Sequence, residues 1–172
     1  MSPGTLATSQ IHLIEGPVGA GKSTYAGRLA LEIGAAHMDL DDWMVRLFRP
    51  DRPEDNFIHW YQERKERCLE QIWAVSLDLI EKNQSVVLEL GLVQRVDREA
   101  FYARVDGADI DMTVHLLDAP EDVRWERVKR RNREQGATFK MEVSPEIFQV
   151  ANGAWQPPDE AEIQDRGIVE VS

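Results

Sequence analysis

At 172 residues, with 42% apolar and 30% charged side chains, the chain has room for one folded domain burying roughly 70% of its extended surface, which excludes disordered and fibrous classes. The formal net charge of −11 argues against general nucleic-acid binding, which needs a positive contact surface. One cysteine, Cys68, excludes an intrachain disulfide, and no apolar run of about eighteen residues is present to cross a membrane.

Residues 1–9, rich in Ser, Thr, Gly and Pro and lacking the basic and apolar regions of a secretion signal, read as a flexible tail ahead of one domain over 10–172. With the lone cysteine, this points to a cytoplasmic protein. Residues 10–15 (QIHLIE), stopped by Gly16-Pro17, predict a first strand. Residues 22–33 place Tyr25, Ala26, Leu29, Ala30 and Ile33 at helical spacing, closed by Gly34. A second strand over 35–40 leads into Asp39, Asp41 and Asp42. A short helix over 43–48 stops before Pro50, and 49–56 is a polar loop.

The longest helical pattern is 57–82, where Tyr61, Cys68, Leu69, Ile72, Val75, Leu79 and Ile80 recur every three or four residues. Cys68 reads as a small buried apolar side chain on it. Residues 85–90 (SVVLEL) predict a strand buried on both faces. A helix over 94–105, a strand over 110–117 and a helix from Pro120 to about Arg133 follow. Ser144-Pro145 opens a last helix, Pro157-Pro158 marks a loop, and 167–171 is a final strand. Such alternation predicts an α/β fold of three layers, with helices covering a central, mostly parallel five-stranded sheet.

Between the first strand and first helix, Gly16-Pro17-Val18-Gly19-Ala20-Gly21-Lys22-Ser23 satisfies G-x-x-x-x-G-K-[S/T]. The glycines let backbone N–H groups turn toward phosphate oxygens, and the helix adds its positive end. The pattern assigns Lys22 to the β- and γ-phosphates of ATP and Ser23 to Mg²⁺, with Thr24 beside them. The four histidines and Cys68 show no zinc spacing, so a metal should arrive with the nucleotide. No Asn-Lys-x-Asp guanine signature follows.

Six of the twenty basic residues lie between Arg124 and Arg133, a local reversal of the acidic balance. Arg124, Arg127 and Arg130 share one helix face by their spacing of three. They read either as a cationic lid or as a basic helix end that complements the helix dipole.

The segments GPVGAGKS, LDDWMVRLFRPDRP, VVLELGLVQRVDRE, RWERVKRRN and FQVANGAWQPPDEAE together resemble the AAA_33 group of small ATP-dependent P-loop kinases, from Ile11 to Glu162. That group is similar to polynucleotide kinase 5′-kinase domains, zeta toxins and chloramphenicol phosphotransferase. The resemblance implies a P-loop NTPase fold with a short arginine-rich lid. It also implies transfer of the γ-phosphate of ATP to a hydroxyl of a small molecule.

By resemblance Asp41 faces the acceptor, with Asp39 and Asp42 as rivals; all three also suit a helix N-terminus. Arg127 and Arg131 are the lid residues it favours, and Asn132 matches without a derived role. Glu89 stands where the family usually has Asp; a carboxylate there suits a metal-bound water or the acceptor. Trp43 and Trp155 read as packing or as cover for a ligand, and residues 149–162 as a flank for adenine. The acceptor, the oligomeric state and the choice among Asp39, Asp41 and Asp42 stay open. So do two rival readings: a kinase for nucleic-acid ends or nucleotide sugars, and a non-catalytic ATP-binding switch.

Overall fold

The structure is a computed structural model that describes residues 9–171. The tail expected over 1–9 lies outside the described residues, except for Ser9, whose hydroxyl donates to the Ile80 carbonyl at 3.1 Å. Five strands form one sheet: β1 (Ile11–Glu15), β2 (Ala36–Asp39), β3 (Val86–Glu89), β4 (Met112–Leu117) and β5 (Val169–Val171). Their order is β2-β3-β1-β4-β5, and every pairing is parallel. The expected parallel character thus extends to the whole sheet. Central β1 is buried along all five residues, and so is every residue of β3.

Among the described residues seven α-helices cover the sheet: α1 (Lys22–Ile33), α2 (Leu40–Phe48), α3 (Phe57–Glu81), α4 (Arg95–Gly107), α5 (Glu121–Glu134), α6 (Pro145–Ala154) and α7 (Glu160–Arg166). Alternation along β1 divides the core. Ile14 joins Val87 and Leu117 beneath the small Ala26 and Ala30 of α1. Ile11 and Leu13 face the other way, into a larger cluster with Cys68, Ile72, Tyr102 and Val105 from α3 and α4.

One helix start and one whole helix differ from expectation. The second helix starts at Leu40, not at residue 43, because Asp39 caps it in extended conformation. Asp39 Oδ1 accepts the N–H groups of Asp41 (2.9 Å) and Asp42 (3.3 Å). Helix α7 was not expected, since seven residues with one apolar anchor show little periodicity. Asp159 caps it by accepting the Glu162 N–H at 2.8 Å.

No described helix is long and apolar enough to cross a membrane. The carboxyl ends of β1, β2 and β3 converge beside the amino end of α1, which fixes the site.

Candidate nucleotide and acceptor site

The turn after β1 is folded as only glycine allows. Gly16 and Gly19 have φ of 147° and 79°, and a Cβ at Gly16 would meet the Leu117 carbonyl oxygen at 2.2 Å. One at Gly19 would meet the Arg124 carbonyl oxygen at 2.6 Å. Pro17 and Ala20 are buried, Val18 packs beside Val128 and Phe148, and Thr24 is exposed on the first turn of α1. Gly21 stands at the amino end of α1, where no side chain caps the helix and no acid occupies its first turn. An uncapped, acid-free helix start beside a lysine is a site for an anion.

Lys22 Nζ donates to the carbonyls of Gly16 (2.8 Å) and Pro17 (2.9 Å), folding back over the loop. Burial pushes its pKa down, against the pull of Glu89, Asp41 and Glu15. These carboxylates come from β3, α2 and β1, so three elements act electrostatically on one ammonium. Ser23 Oγ donates to Glu89 Oε2 at 3.0 Å, and the other oxygen of Glu89 lies 2.8 Å from His37 Nε2 on β2. A hydroxyl paired with a carboxylate is a hard oxygen set that suits Mg²⁺.

Asp41 is exposed, yet protein walls crowd it; desolvation raises its pKa, partly offset by Lys22. Asp42 instead pairs with Arg46 at 2.8 Å, one helical turn on. Asp39 is occupied twice, by the helix cap and by the ammonium of Lys140, which arrives from the loop after α5. Of the three acids, Asp41 is the one coupled electrostatically to Lys22. Lys140 was not singled out in the sequence; burial, then the charge of Lys22, push it down to about 8.

Helix α5 lies against the phosphate loop, and its arginines divide in role. Arg124 is buried, donating to Ala119 O (2.9 Å), Val18 O (3.0 Å) and Asn152 Oδ1 (2.7 Å), so it braces the loop against α6. Arg127 donates to Ala20 O at 3.1 Å from an exposed position. Arg131 is electrostatically coupled to Asp41 and Lys22, and its buried Nε has no hydrogen-bond partner among the described residues. An orphaned guanidinium N–H at this place fits an anionic ligand. Asn132 bonds the backbone of Val143, holding the following loop.

Other expected residues serve packing. Trp43 and Trp155 are part-buried against the main core, and the Arg98 guanidinium lies 5.5 Å from the Trp155 ring centroid. Glu162 is consumed by a two-point ion pair with Arg98. Glu15 is the residue that sequence reasoning missed. Its signal was a lone acid at the end of an apolar strand, directly before Gly16.

The AAA_33 profile, described as an AAA domain, matches residues 11–152. No protein of curated function matches the sequence. Among solved structures, a putative kinase from Chloroflexus aurantiacus J-10-fl superposes with a TM-score of 0.64 at 18% identity, over 88% of this chain and 79% of that one. A gluconokinase from Sinorhizobium meliloti 1021 gives 0.58 at 19%, over 95% and 82%. Chaetomium thermophilum Kti12, in complex with ADP-AlF3, gives 0.67 at 14%, over 94% and 88%. At such identities the likeness concerns the fold. The profile spans most of the chain, from β1 through α6, and on that ground the protein belongs to the AAA_33 family of P-loop domains.

Proposed function

We propose that this protein is an ATP-dependent phosphotransferase that moves the γ-phosphate of ATP to a hydroxyl of a small molecule. The observation that carries the reading is the metal-suited pair of Ser23 and Glu89 next to Lys22 in the phosphate loop, with Glu89, Asp41 and Arg131, whose buried Nε lacks a partner among the described residues, all coupled electrostatically to that lysine. Structural neighbours whose names include a putative kinase and a gluconokinase support it by analogy of fold.

In this reading Lys22 leaves the loop carbonyls for the phosphates, and Ser23 with Glu89 holds the cation. Such a cation would supply charge neutralisation of the phosphates. Asp41 orients the acceptor hydroxyl. The hydroxyl oxygen forms a bond to Pγ, the bond from Pγ to the β–γ bridging oxygen breaks, ADP leaves, and the hydroxyl proton passes to Asp41. Arg127 and Arg131 from α5 stabilise the transferring group. The net charge of −11 favours a small acceptor over a long polyanion.

The test is ATP consumption with Mg²⁺ across a metabolite panel, for wild type, Lys22→Ala and Asp41→Asn. We expect acceptor-dependent turnover that falls about 100-fold or more in Asp41→Asn with ATP affinity kept, and is lost in Lys22→Ala. Tight ATP binding without turnover on any acceptor would replace the kinase with a nucleotide-dependent switch.

A further inference from the structure

Strand β1 ends in an acid where its face calls for an apolar residue. Ile11 and Leu13 on the same face are fully buried in the main core, and Glu15 follows them at 3% exposure. Its Oε1 has no hydrogen-bond partner among the described residues. The nearby donors are committed elsewhere. Arg98 gives Nε and Nη2 to Glu162 (2.6 and 2.9 Å) and Nη1 to the Gln156 carbonyl at 2.8 Å. The Tyr102 hydroxyl donates to Glu162 at 3.1 Å, and Lys22 donates to the loop carbonyls. A buried acceptor left alone opposes folding, and nothing in the strand's packing needs a carboxylate there.

The surroundings select the ligand class. Lys22 and Arg98 already act on Glu15 as cations, so an ammonium group would meet two like charges. An anion would meet Glu15 and Glu162. A neutral donor is what remains, and the acceptor of the phosphotransferase reading carries hydroxyls. Lys22 feels both Glu15 and Asp41, from β1 and from α2. One hydroxyl has a single proton to donate and cannot satisfy an oxygen of Asp41 and Glu15 Oε1 at once.

We propose that Glu15 is a second acceptor-binding carboxyl group, and that the acceptor is a polyhydroxylated small molecule giving one hydroxyl to Asp41 and another to Glu15 Oε1. The inference rests on the phosphotransferase reading for the place of the reacting hydroxyl. It adds the recognition of a second one.

The test uses saturation-transfer NMR on the full chain with Mg²⁺ and a non-hydrolysable ATP analogue. The probes are glycerol, erythritol, ribose and myo-inositol, each beside analogues lacking one hydroxyl. We expect at least one polyol to bind, and an analogue of it to bind about tenfold more weakly. Glu15→Ala should weaken the polyol by a similar factor and leave that analogue unchanged, while Glu15→Gln, which keeps an acceptor oxygen, restores part of the affinity. No polyol binding, or equal binding by Glu15→Ala, overturns the proposal; the latter is the result if Glu15 serves structure alone. Phosphoryl transfer measured on the same samples separates the two readings. Transfer to a monohydroxy acceptor without polyol binding sinks the polyol and keeps the kinase. Glu15-dependent polyol binding without transfer does the reverse.

Discussion

Glu15 also makes a prediction at the scale of a single proton. Desolvation raises its pKa to about 8, with Arg98 and Lys22 pulling the other way, against 4.5 for the ordinary side chain. A carboxyl whose folded pKa is raised contributes stability that is fully present below the unfolded value and is lost as pH climbs through the folded one. The window is therefore about pH 4.5 to 8, with stability falling as pH rises. His115 works in the opposite sense. Burial, then His12, lowers it to about 4, so its contribution is lost as pH falls from 6.5 toward that value. Subtracting a variant isolates Glu15 from His115. Glu15→Gln is neutral throughout, so its urea-unfolding stability should gain on wild type as pH goes from 5 to 8.5, by at most about 1.4 kcal/mol per pH unit. Parallel curves for the two proteins would show that Glu15 is ionised in the fold at neutral pH.

Between elements, the strongest polar link described is the Arg98–Glu162 pair joining α4 to α7, with side chains 0% and 3% exposed. Removing one partner leaves a buried charge alone, at a cost of about 3–5 kcal/mol, whereas an apolar pair of similar volume is often neutral. Glu162→Ala should therefore lower urea stability by about that much. Arg98→Met with Glu162→Leu should recover most of the loss, and a double variant as weak as the single would show that the pair also orders the Trp155 loop. This link also marks the limit of what the sequence discloses. Strands β1 and β3 were legible because burial on both faces imposes continuous apolar runs, and the phosphate loop because its glycines have no substitute. Helix α7 carries one apolar anchor, Ile163, and was passed over, although Asp159 with Glu162 three residues later is a capping signal. The partnership of Glu162 with Arg98 spans 64 positions and leaves no local trace. Asp39 stays an open rival to Asp41 in the sequence for a related reason: capping and acceptor binding call for the same residue type at the same place, and only the geometry shows both its oxygens occupied.

On the scale of the molecule, the loop after β1 is clasped from two sides. The sheet edge, α1 and α2 supply Glu89, Lys22, Ser23 and Asp41, while α5 supplies the Arg124 brace and Arg131. A ligand on Lys22 therefore ties both halves together, and its binding free energy adds to global stability. At a hundred times its dissociation constant a ligand adds about 2.7 kcal/mol, which for a chain of this size is a rise of roughly 5–10 °C in melting temperature. The cation's share can be read separately, because Ser23 and Glu89 meet each other on the β3 side, whereas the loop backbone, Lys22 and Arg131 meet the phosphates. ATP alone should raise the melting temperature of wild type, and Mg²⁺ should raise it further. Glu89→Gln keeps a group that can accept the Ser23 hydroxyl and loses the charge that draws the cation. It should therefore retain the ATP increment and lose most of the Mg²⁺ increment, while Lys22→Ala loses both. Were Glu89→Gln to keep the full Mg²⁺ increment, the carboxylate would serve to orient Ser23 and His37, and the cation would be held by Ser23 and the phosphates alone.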